Sequence, residues 1–275
     1  MSVRLPLRAL PACLVLVVLL ELLCASARAQ SCHTSDLLEQ GEPSEDPFRA
    51  SLGFSMASYD SGEEQGSYQS LFASFGYRHP WFGAELSLPS YRLVRERGVE
   101  PGLGDLVLTA LVTAFRSEPG DIALGFTLPT MLPTGSAEKQ LGMGHVMLMP
   151  ALWFSLDLRP FALRAQAGYG HAFGSEAEHA HHGGGAAPGR SPLVNPMNRD
   201  ELEHALFMSL GIQRRLSVHA RWFGAVPLGD GVLRQILGAG ASASLEPFEL
   251  LVELQLPVAG DPFELKFVSQ LALLF

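Results

Sequence analysis

The chain has 275 residues, 47% of them hydrophobic and 17% charged, and its formal net charge is −9. This acidic balance argues against a nucleic-acid binder, which needs a basic surface. After the N-terminal segment, no stretch approaches the roughly 18 continuous apolar residues of a membrane-spanning helix. Helices are therefore excluded as a route across a membrane, whereas strands are not.

Residues 1–29 predict a secretory signal peptide that is cleaved before Gln30. In order, they contain Arg4 and Arg8, an apolar run from about Leu10 to Leu23, and the small residues Ala27 and Ala29. A membrane anchor is the alternative, but the run is short and contains Glu21. We expect residues 30–46 to form a periplasmic N-terminal segment. Its Cys32 is the only cysteine left after cleavage, so no internal disulfide is predicted.

The rest of the chain, residues 47–275, places apolar residues at every second position, which is the period of a β-strand. Twelve strands are predicted near residues 48–58, 68–78, 81–91, 103–115, 121–130, 144–157, 160–172, 202–213, 216–226, 234–245, 248–257 and 264–275. Tight connections alternate with long ones, which are predicted at about 59–67, 92–102, 131–143, 173–201, 227–233 and 258–263. Because neighbouring strands are antiparallel, all tight turns then lie at one end of the sheet and all long connections at the other. The pattern predicts an all-β fold: a single antiparallel up-and-down transmembrane β-barrel of about 12 strands in the outer membrane of a Gram-negative bacterium.

Charged side chains fall on the face opposite the apolar one. A charge that faces hydrocarbon would cost about 2–4 kcal/mol at mid-depth, so we expect these side chains to line a wet lumen. The candidates for a lumenal constriction are Glu85, Asp105, Arg164, His219, Arg221, Arg234, Glu249 and Glu253. Their mixed signs predict weak ion selectivity. For Asp105 we expect an ion pair with an arginine across the lumen.

A soluble β-sandwich or lipocalin-like barrel would show the same alternation with the two faces exchanged. Twelve strands are more than such folds need, and an exterior in water would be about a quarter to a third charged. Aromatic residues near the segment ends, including Trp153 and Trp222, instead suit the interfacial girdles of a membrane barrel. The membrane barrel is therefore the preferred interpretation.

The last predicted strand lies in "FELKFVSQLALLF", residues 263–275. Its alternation assigns Phe263 to the apolar face and Glu264 to the lumen. Because every backbone N–H and C=O must be paired in lipid, we expect this strand to pair with the first one. The final aromatic, Phe275, resembles the C-terminal signal of bacterial outer-membrane proteins, which implies the barrel assembly machinery as a partner.

Residues 98–132, "GVEPGLGDLVLTALVTAFRSEPGDIALGFTLPTML", precede "PTG" at 133–135 and "LGMGHVMLMPALWFSL" from 141. The Gly-x-Gly-Asp strand start, the Leu-Pro…Pro-Thr-Gly passage and the later Gly-x-Gly resemble the outer-membrane proteins of the "meta-pathway of phenol degradation" family. The resemblance implies a transporter-like barrel and carries no catalytic motif. The glycines themselves indicate a bulge or a close backbone approach where the strand enters the membrane.

Two stretches contain residue types that ligate metals. The candidates are His179, His181 and His182 in the connection 173–201, and Met143, His145, Met147 and Met149 in "GMGHVMLMP". Imidazoles suit Zn, Cu or Ni, and thioethers with an imidazole suit Cu(I). The alternatives are a flexible polar loop for the histidines and an adaptable apolar lining for the methionines.

No residues have the spacing of a catalytic site. Ser217 and His219 lie two residues apart on one strand, about 7 Å, which is too far for a direct hydrogen bond. We therefore predict no enzymatic activity and no cofactor. The predicted function is a narrow channel or transporter for small molecules, hydrophobic ones included, because twelve strands should leave a constricted lumen. The alternative is a non-conducting barrel that binds metal or a partner through its external loops.

Overall fold

The computed structural model describes residues 47–60, 65–96, 98–118, 121–173 and 197–275. The predicted signal peptide, the N-terminal segment and the loop histidines His179, His181 and His182 lie outside these residues. Within these ranges, no helix is long and apolar enough to cross a membrane.

The described residues form fourteen strands: β1 (Phe48–Asp60), β2 (Gln65–Arg78), β3 (Phe82–Arg95), β4 (Gly98–Leu103), β5 (Leu106–Arg116), β6 (Ile122–Leu132), β7 (Val146–Leu148), β8 (Ala151–Leu158), β9 (Phe161–Phe173), β10 (Asp200–Gln213), β11 (Leu216–Pro227), β12 (Arg234–Leu245), β13 (Phe248–Ala259) and β14 (Phe263–Leu274). β4 with β5, and β7 with β8, are each one barrel strand with a short interruption. All neighbours are antiparallel, β9 pairs with β10, and β14 pairs with β1. The sheet is therefore a closed barrel of twelve strands, which confirms the predicted fold.

The predicted long connection at residues 92–102 is wrong. β3 and β4 continue there as a paired hairpin, from Ser90 opposite Leu103 to Arg95 opposite Gly98. Gly98 has a φ of 140°, which permits the tight turn because glycine has no Cβ to collide with the backbone. This hairpin extends the loop end of the barrel, the end that carries the longer connections.

The outward face is apolar around the whole barrel. Leu52, Phe126, Leu152 and Leu254, on β1, β6, β8 and β13, are each more than half exposed. Soluble monomers rarely expose contiguous apolar patches beyond a few hundred Å². A belt of such residues on strands around the ring is the lipid-facing surface of a membrane barrel, and the alternative of a soluble barrel is therefore excluded.

Three predicted face assignments are wrong. Phe263 is inside and only 3% exposed, whereas Glu264 is exposed and accepts a hydrogen bond from the Ser58 hydroxyl at 2.8 Å. The cause is a bulge, because Ser58 pairs with Leu265 and the next residue of β1 pairs with Phe263, leaving Glu264 as the extra residue. Trp153 also lies inside, at 7% exposure, and its indole N–H donates to a carbonyl oxygen of β6 at 3.2 Å.

Phe275 closes the seam between the last and first strands. Its N–H donates to the Phe48 carbonyl oxygen at 3.0 Å, and its own carbonyl oxygen accepts from the Phe48 N–H at 3.1 Å. The two rings stack with their centroids 6.0 Å apart.

We expect Phe275→Ala to lower the yield of folded barrel, because it keeps the backbone bonds and removes an aromatic contact worth about 0.5–1.5 kcal/mol beyond its area. The yield after refolding into vesicles can be measured by heat-modifiable mobility in gels. Phe126→Ala, which removes a similarly exposed ring away from the seam, is the control. Equal yields for the two variants would contradict a role of the Phe275 ring in closure.

Candidate functional site

The inward face of the barrel carries the polar side chains. Of the predicted lumen residues, the structure places Glu85, Asp105, Arg164, His219, Arg234 and Glu253 in buried positions, Arg221 with a 9% exposed side chain, and Glu249 with a 37% exposed one. Because their outward neighbours are apolar, these groups can be stable only if they are compensated inside the lumen.

A network at mid-depth of the lumen is centred on Glu253 of β13. Its Oε1 lies 2.9 Å from Arg221 Nε, and its Oε2 lies 3.1 Å from His219 Nε2, both on β11. Gln255, the next inward residue of β13, donates to the same carboxylate. Three of the eight predicted lumen residues thus meet in one network, where opposite charges compensate each other as burial requires.

The strand between β11 and β13 makes room for this network with glycines. A Cβ on Gly238 of β12 would lie 2.7 Å from Glu253 Oε1, and a Cβ on Gly240 would lie 2.6 Å from His219 Nε2. Both distances are shorter than van der Waals contact, so any side chain here would displace the network. The glycines of "GAGASAS", residues 238–244, therefore leave the space that the network occupies.

Three of the other predicted charges pair with residues that the sequence interpretation did not select. Arg234 donates to both oxygens of Glu201 at 2.8 Å. The other two pairs are Arg164 with Asp157 at 2.9 Å and Arg49 with Glu249 at 3.3 Å. Glu201 lies one residue before the predicted start of its strand, so extending the alternation by one residue would have found it. Asp157 is the last residue of its predicted strand.

The loop between β13 and β14 adds a carboxyl group close to these charges. Burial raises the pKa of Asp261, and the neighbouring Arg234 and Lys266 oppose that rise. Lys266 is only 1% exposed, and its ammonium lies 4.8 Å from the centroid of the Phe263 ring. Acidic and basic groups therefore lie close together at the loop end of the lumen as well.

Asp105 holds a loop rather than an arginine, so its expected ion pair is wrong. Its Oδ1 accepts from the Gly135 N–H at 2.9 Å, and its Oδ2 accepts from the Met143 N–H at 2.6 Å. Thr134 extends the attachment, since its hydroxyl donates to the Gly104 carbonyl oxygen at 3.0 Å. These contacts fold residues 133–145, here named the inner loop, into the barrel.

The glycines of the quoted motifs are contact points for the inner loop. A Cβ on Gly102 would lie 2.6 Å from Leu141 Cδ1, so Leu141 occupies the space of the missing side chain. Gly104 and Gly135 touch through their backbones, because a Cβ on Gly135 would lie 2.9 Å from the Gly104 carbonyl carbon. The close backbone approach predicted from the glycines is thus present, and it joins two segments that the sequence places far apart.

Leu141 belongs to an apolar cluster that crosses the lumen. This lumenal apolar cluster contains the buried residues Met56, Ala57, Tyr59, Tyr68, Tyr91, Leu93, Leu141, Phe223, Ile236 and Phe263. Its members come from β1, β2, β3, the inner loop, β11, β12 and β14. β3 and β11 are the third and ninth of twelve barrel strands and so lie opposite each other. The cluster therefore forms an apolar section across the loop end of the lumen.

The predicted methionine and histidine set is also buried. Met143, His145, Met147 and Met149 are 6%, 5%, 0% and 3% exposed. The predicted strand start at 144 is wrong, because β7 begins at Val146 and Met143 and His145 belong to the inner loop. Among the residues that the structure describes, no three His, Cys, Asp or Glu side chains come together as a metal site.

Comparison with solved structures agrees with the architecture. The NanC porin matches with a TM-score of 0.54 at 6% sequence identity, over 83% of this chain and 98% of that chain. The KdgM porin matches with a TM-score of 0.53 at 8% identity, over 82% and 99% of the two chains. The fold is that of an outer-membrane β-barrel. The translocator domain of the autotransporter NalP from Neisseria meningitidis matches with a TM-score of 0.50 at 11% identity, over 87% and 91%.

No family model and no curated protein matches the chain. The comparisons therefore give no support to the resemblance to the meta-pathway family, although the residues that carry it have a structural role here. The outer-membrane barrel fold and the lipid-facing belt agree with the predicted location in the outer membrane.

Proposed function

We propose that the protein is an outer-membrane channel for small molecules, hydrophobic ones included, and that the inner loop holds its loop end closed. The observation that carries this proposal is the lumenal apolar cluster, which crosses the barrel between β3 and β11. An apolar constriction excludes water and ions. A hydrophobic solute can instead replace the contacts between the side chains, because its own transfer out of water is favourable.

Among the elements that contribute to the lumenal apolar cluster, the inner loop is the one that can move. Leu141 is its contribution to the cluster, and the other members lie on strands held in the closed sheet. The loop is attached through a few polar contacts, chiefly those of Asp105 and the bond from Arg95 Nη2 to Gln140 Oε1 at 2.6 Å. Segments with few attachments open at lower free energy than sheet strands, so release of the loop would open the lumen.

The rest of the lumen suits small solutes without a strong preference for charge. Four of its arginines, Arg49, Arg164, Arg221 and Arg234, pair with carboxylates, which favours weak ion selectivity over a filter of one sign. Two solved structures with the same fold are described as porins, which supports a channel.

Planar-bilayer recording tests this proposal. We expect rare, small openings for the unmodified protein and a several-fold larger conductance when residues 136–141 are replaced by glycines, because the apolar section then loses Leu141. The control replaces Leu228 and Asp230, in the exposed loop between β11 and β12, by glycines and should leave the conductance unchanged. Absence of conductance in all three proteins would overturn the channel.

The preference for hydrophobic solutes has its own measurement. In channels that keep the lumenal apolar cluster, benzyl alcohol should reduce the ion current, whereas glucose at the same concentration should not. In the glycine-substituted inner loop the two solutes should act alike. Equal effects of both solutes on the unmodified channel would overturn the hydrophobic preference while leaving the channel itself supported.

A further inference from the structure

The lumen contains a second cluster that the proposed channel does not require. Its buried members are all methionines: Met131, Met143, Met147, Met149 and Met197. They are five of the eight methionines of the chain, and none is more than 6% exposed. They come from β6, the inner loop, β7 with the residue after it, and the segment before β10. The methionine cluster therefore gathers four separate parts of the chain.

The backbone brings several of these thioethers to one place. Met131 of β6 and Met147 of β7 are direct cross-strand partners, so their side chains stand side by side on the inward face. Both Met147 and Met149 lie over Gly170 of β9, where a Cβ would be 2.6 Å from Met147 Cε and 3.6 Å from Met149 Cγ. Met143 is held by its backbone bond to Asp105. The sulfur atoms are thus positioned by ladder pairing and by the anchored inner loop.

The composition of the cluster distinguishes it from ordinary apolar packing. The other buried apolar clusters of the described residues combine Leu, Ile, Ala and aromatic side chains with a single methionine, Met56. In this one every buried member is a methionine, and Val107 is the partly buried apolar residue packed against it. An adaptable filler requires a methionine at one or two positions, not at every buried position. Thioethers are soft, uncharged ligands that suit Cu(I)-like ions, whereas Mg and Ca prefer oxygen ligands.

We propose that the methionine cluster is a binding site for a soft monovalent cation of the Cu(I) or Ag(I) class. The strand and inner-loop methionines supply the thioether ligands. Neutral sulfur ligands suit a single positive charge, and the burial of all five methionines limits the access of water that would compete for it. The proposal is independent of the proposed channel, since a plugged barrel could bind the same ion.

Silver(I) is the probe for this site because it does not change oxidation state in air. The background protein carries Cys32→Ser and His179→Ala, His181→Ala and His182→Ala, so that neither a thiol nor the loop imidazoles can bind the ion. After addition of Ag(I) and desalting in detergent, retained silver is measured by mass spectrometry. X-ray absorption identifies the neighbouring atoms. We expect stoichiometric silver with sulfur neighbours.

The decisive variant is Met147→Leu with Met149→Leu, which keeps apolar volume and removes two sulfur atoms. In this variant, retained silver should fall to background. The control is Met56→Leu with Met208→Leu, two methionines outside the methionine cluster, and it should retain as much silver as the background protein. Gel mobility before and after heating confirms that each variant is folded. Silver retention that is unchanged in Met147→Leu/Met149→Leu, or absent from the background protein, would overturn the site. Channel conductance is recorded separately, so failure of the metal site and failure of the channel are distinguishable.

Discussion

We expect Asp105→Ala to release the inner loop and to raise the open fraction of the channel by about two orders of magnitude. The variant removes the acceptor of two backbone N–H groups, those of Gly135 and Met143. Hydrogen bonds to a charged acceptor contribute about 1.5–3 kcal/mol each. Loss of about 3 kcal/mol from the closed state corresponds to a shift of roughly 100-fold in the ratio of closed to open barrels.

Single-channel recording measures this shift as open probability at a fixed voltage. Asp105→Asn keeps one carbonyl acceptor and should give an intermediate open probability. Asp230→Ala removes an exposed carboxylate from the loop between β11 and β12 and should behave like the unmodified protein. An Asp105→Ala channel with unchanged open probability would show that the carboxylate does not hold the loop.

Glu253→Ala should destabilise the barrel by about 3–5 kcal/mol, the cost of leaving buried charge without its partner. The carboxylate is the shared partner of Arg221 and His219, and its side chain is 1% exposed. The glycines of β12 lie directly against the network, so the carboxylate is enclosed on that side by backbone. The loss should appear as a lower urea midpoint of unfolding in phospholipid vesicles, followed by tryptophan fluorescence.

Two further variants separate the network from a general loss of charge. Glu264→Ala removes an exposed carboxylate from the neighbouring β14 and should leave the midpoint close to that of the unmodified barrel. Arg221→Ala with Glu253→Ala should cost less than the sum of the single variants, because it removes both partners of one contact. Strict additivity would rule out the coupling inferred from the 2.9 Å contact.

The inner loop connects the two lumenal clusters. Leu141 enters the lumenal apolar cluster and Met143 enters the methionine cluster, so two residues of one segment reach both. Asp105 lies in the break between β4 and β5, and its carboxylate fixes this segment by accepting hydrogen bonds from the loop backbone. The quoted glycine motifs therefore explain a loop attachment rather than a strand entry alone.

Much of the barrel could be predicted because a strand signal is local. Around Leu52 and Leu254, apolar residues stand at every second position, and this period alone separates an apolar face from a polar one. The requirement that backbone groups be paired in lipid then predicts closure of β14 on β1. Bulges escape this reasoning, because one extra residue such as Glu264 exchanges the faces without leaving a signal in composition.

By itself, the sequence determined the twelve-stranded membrane barrel and the inward side of most lumen charges. Only the tertiary structure decided which charges pair, as Arg234 does with Glu201, and that residues 133–145 fold inward onto Asp105. It also gathered Met131 and Met197 with the three methionines of the quoted stretch. The physical reason is that alternation is a property of adjacent residues, whereas contacts across a lumen join distant residues whose meeting depends on how the closed sheet brings its strands together.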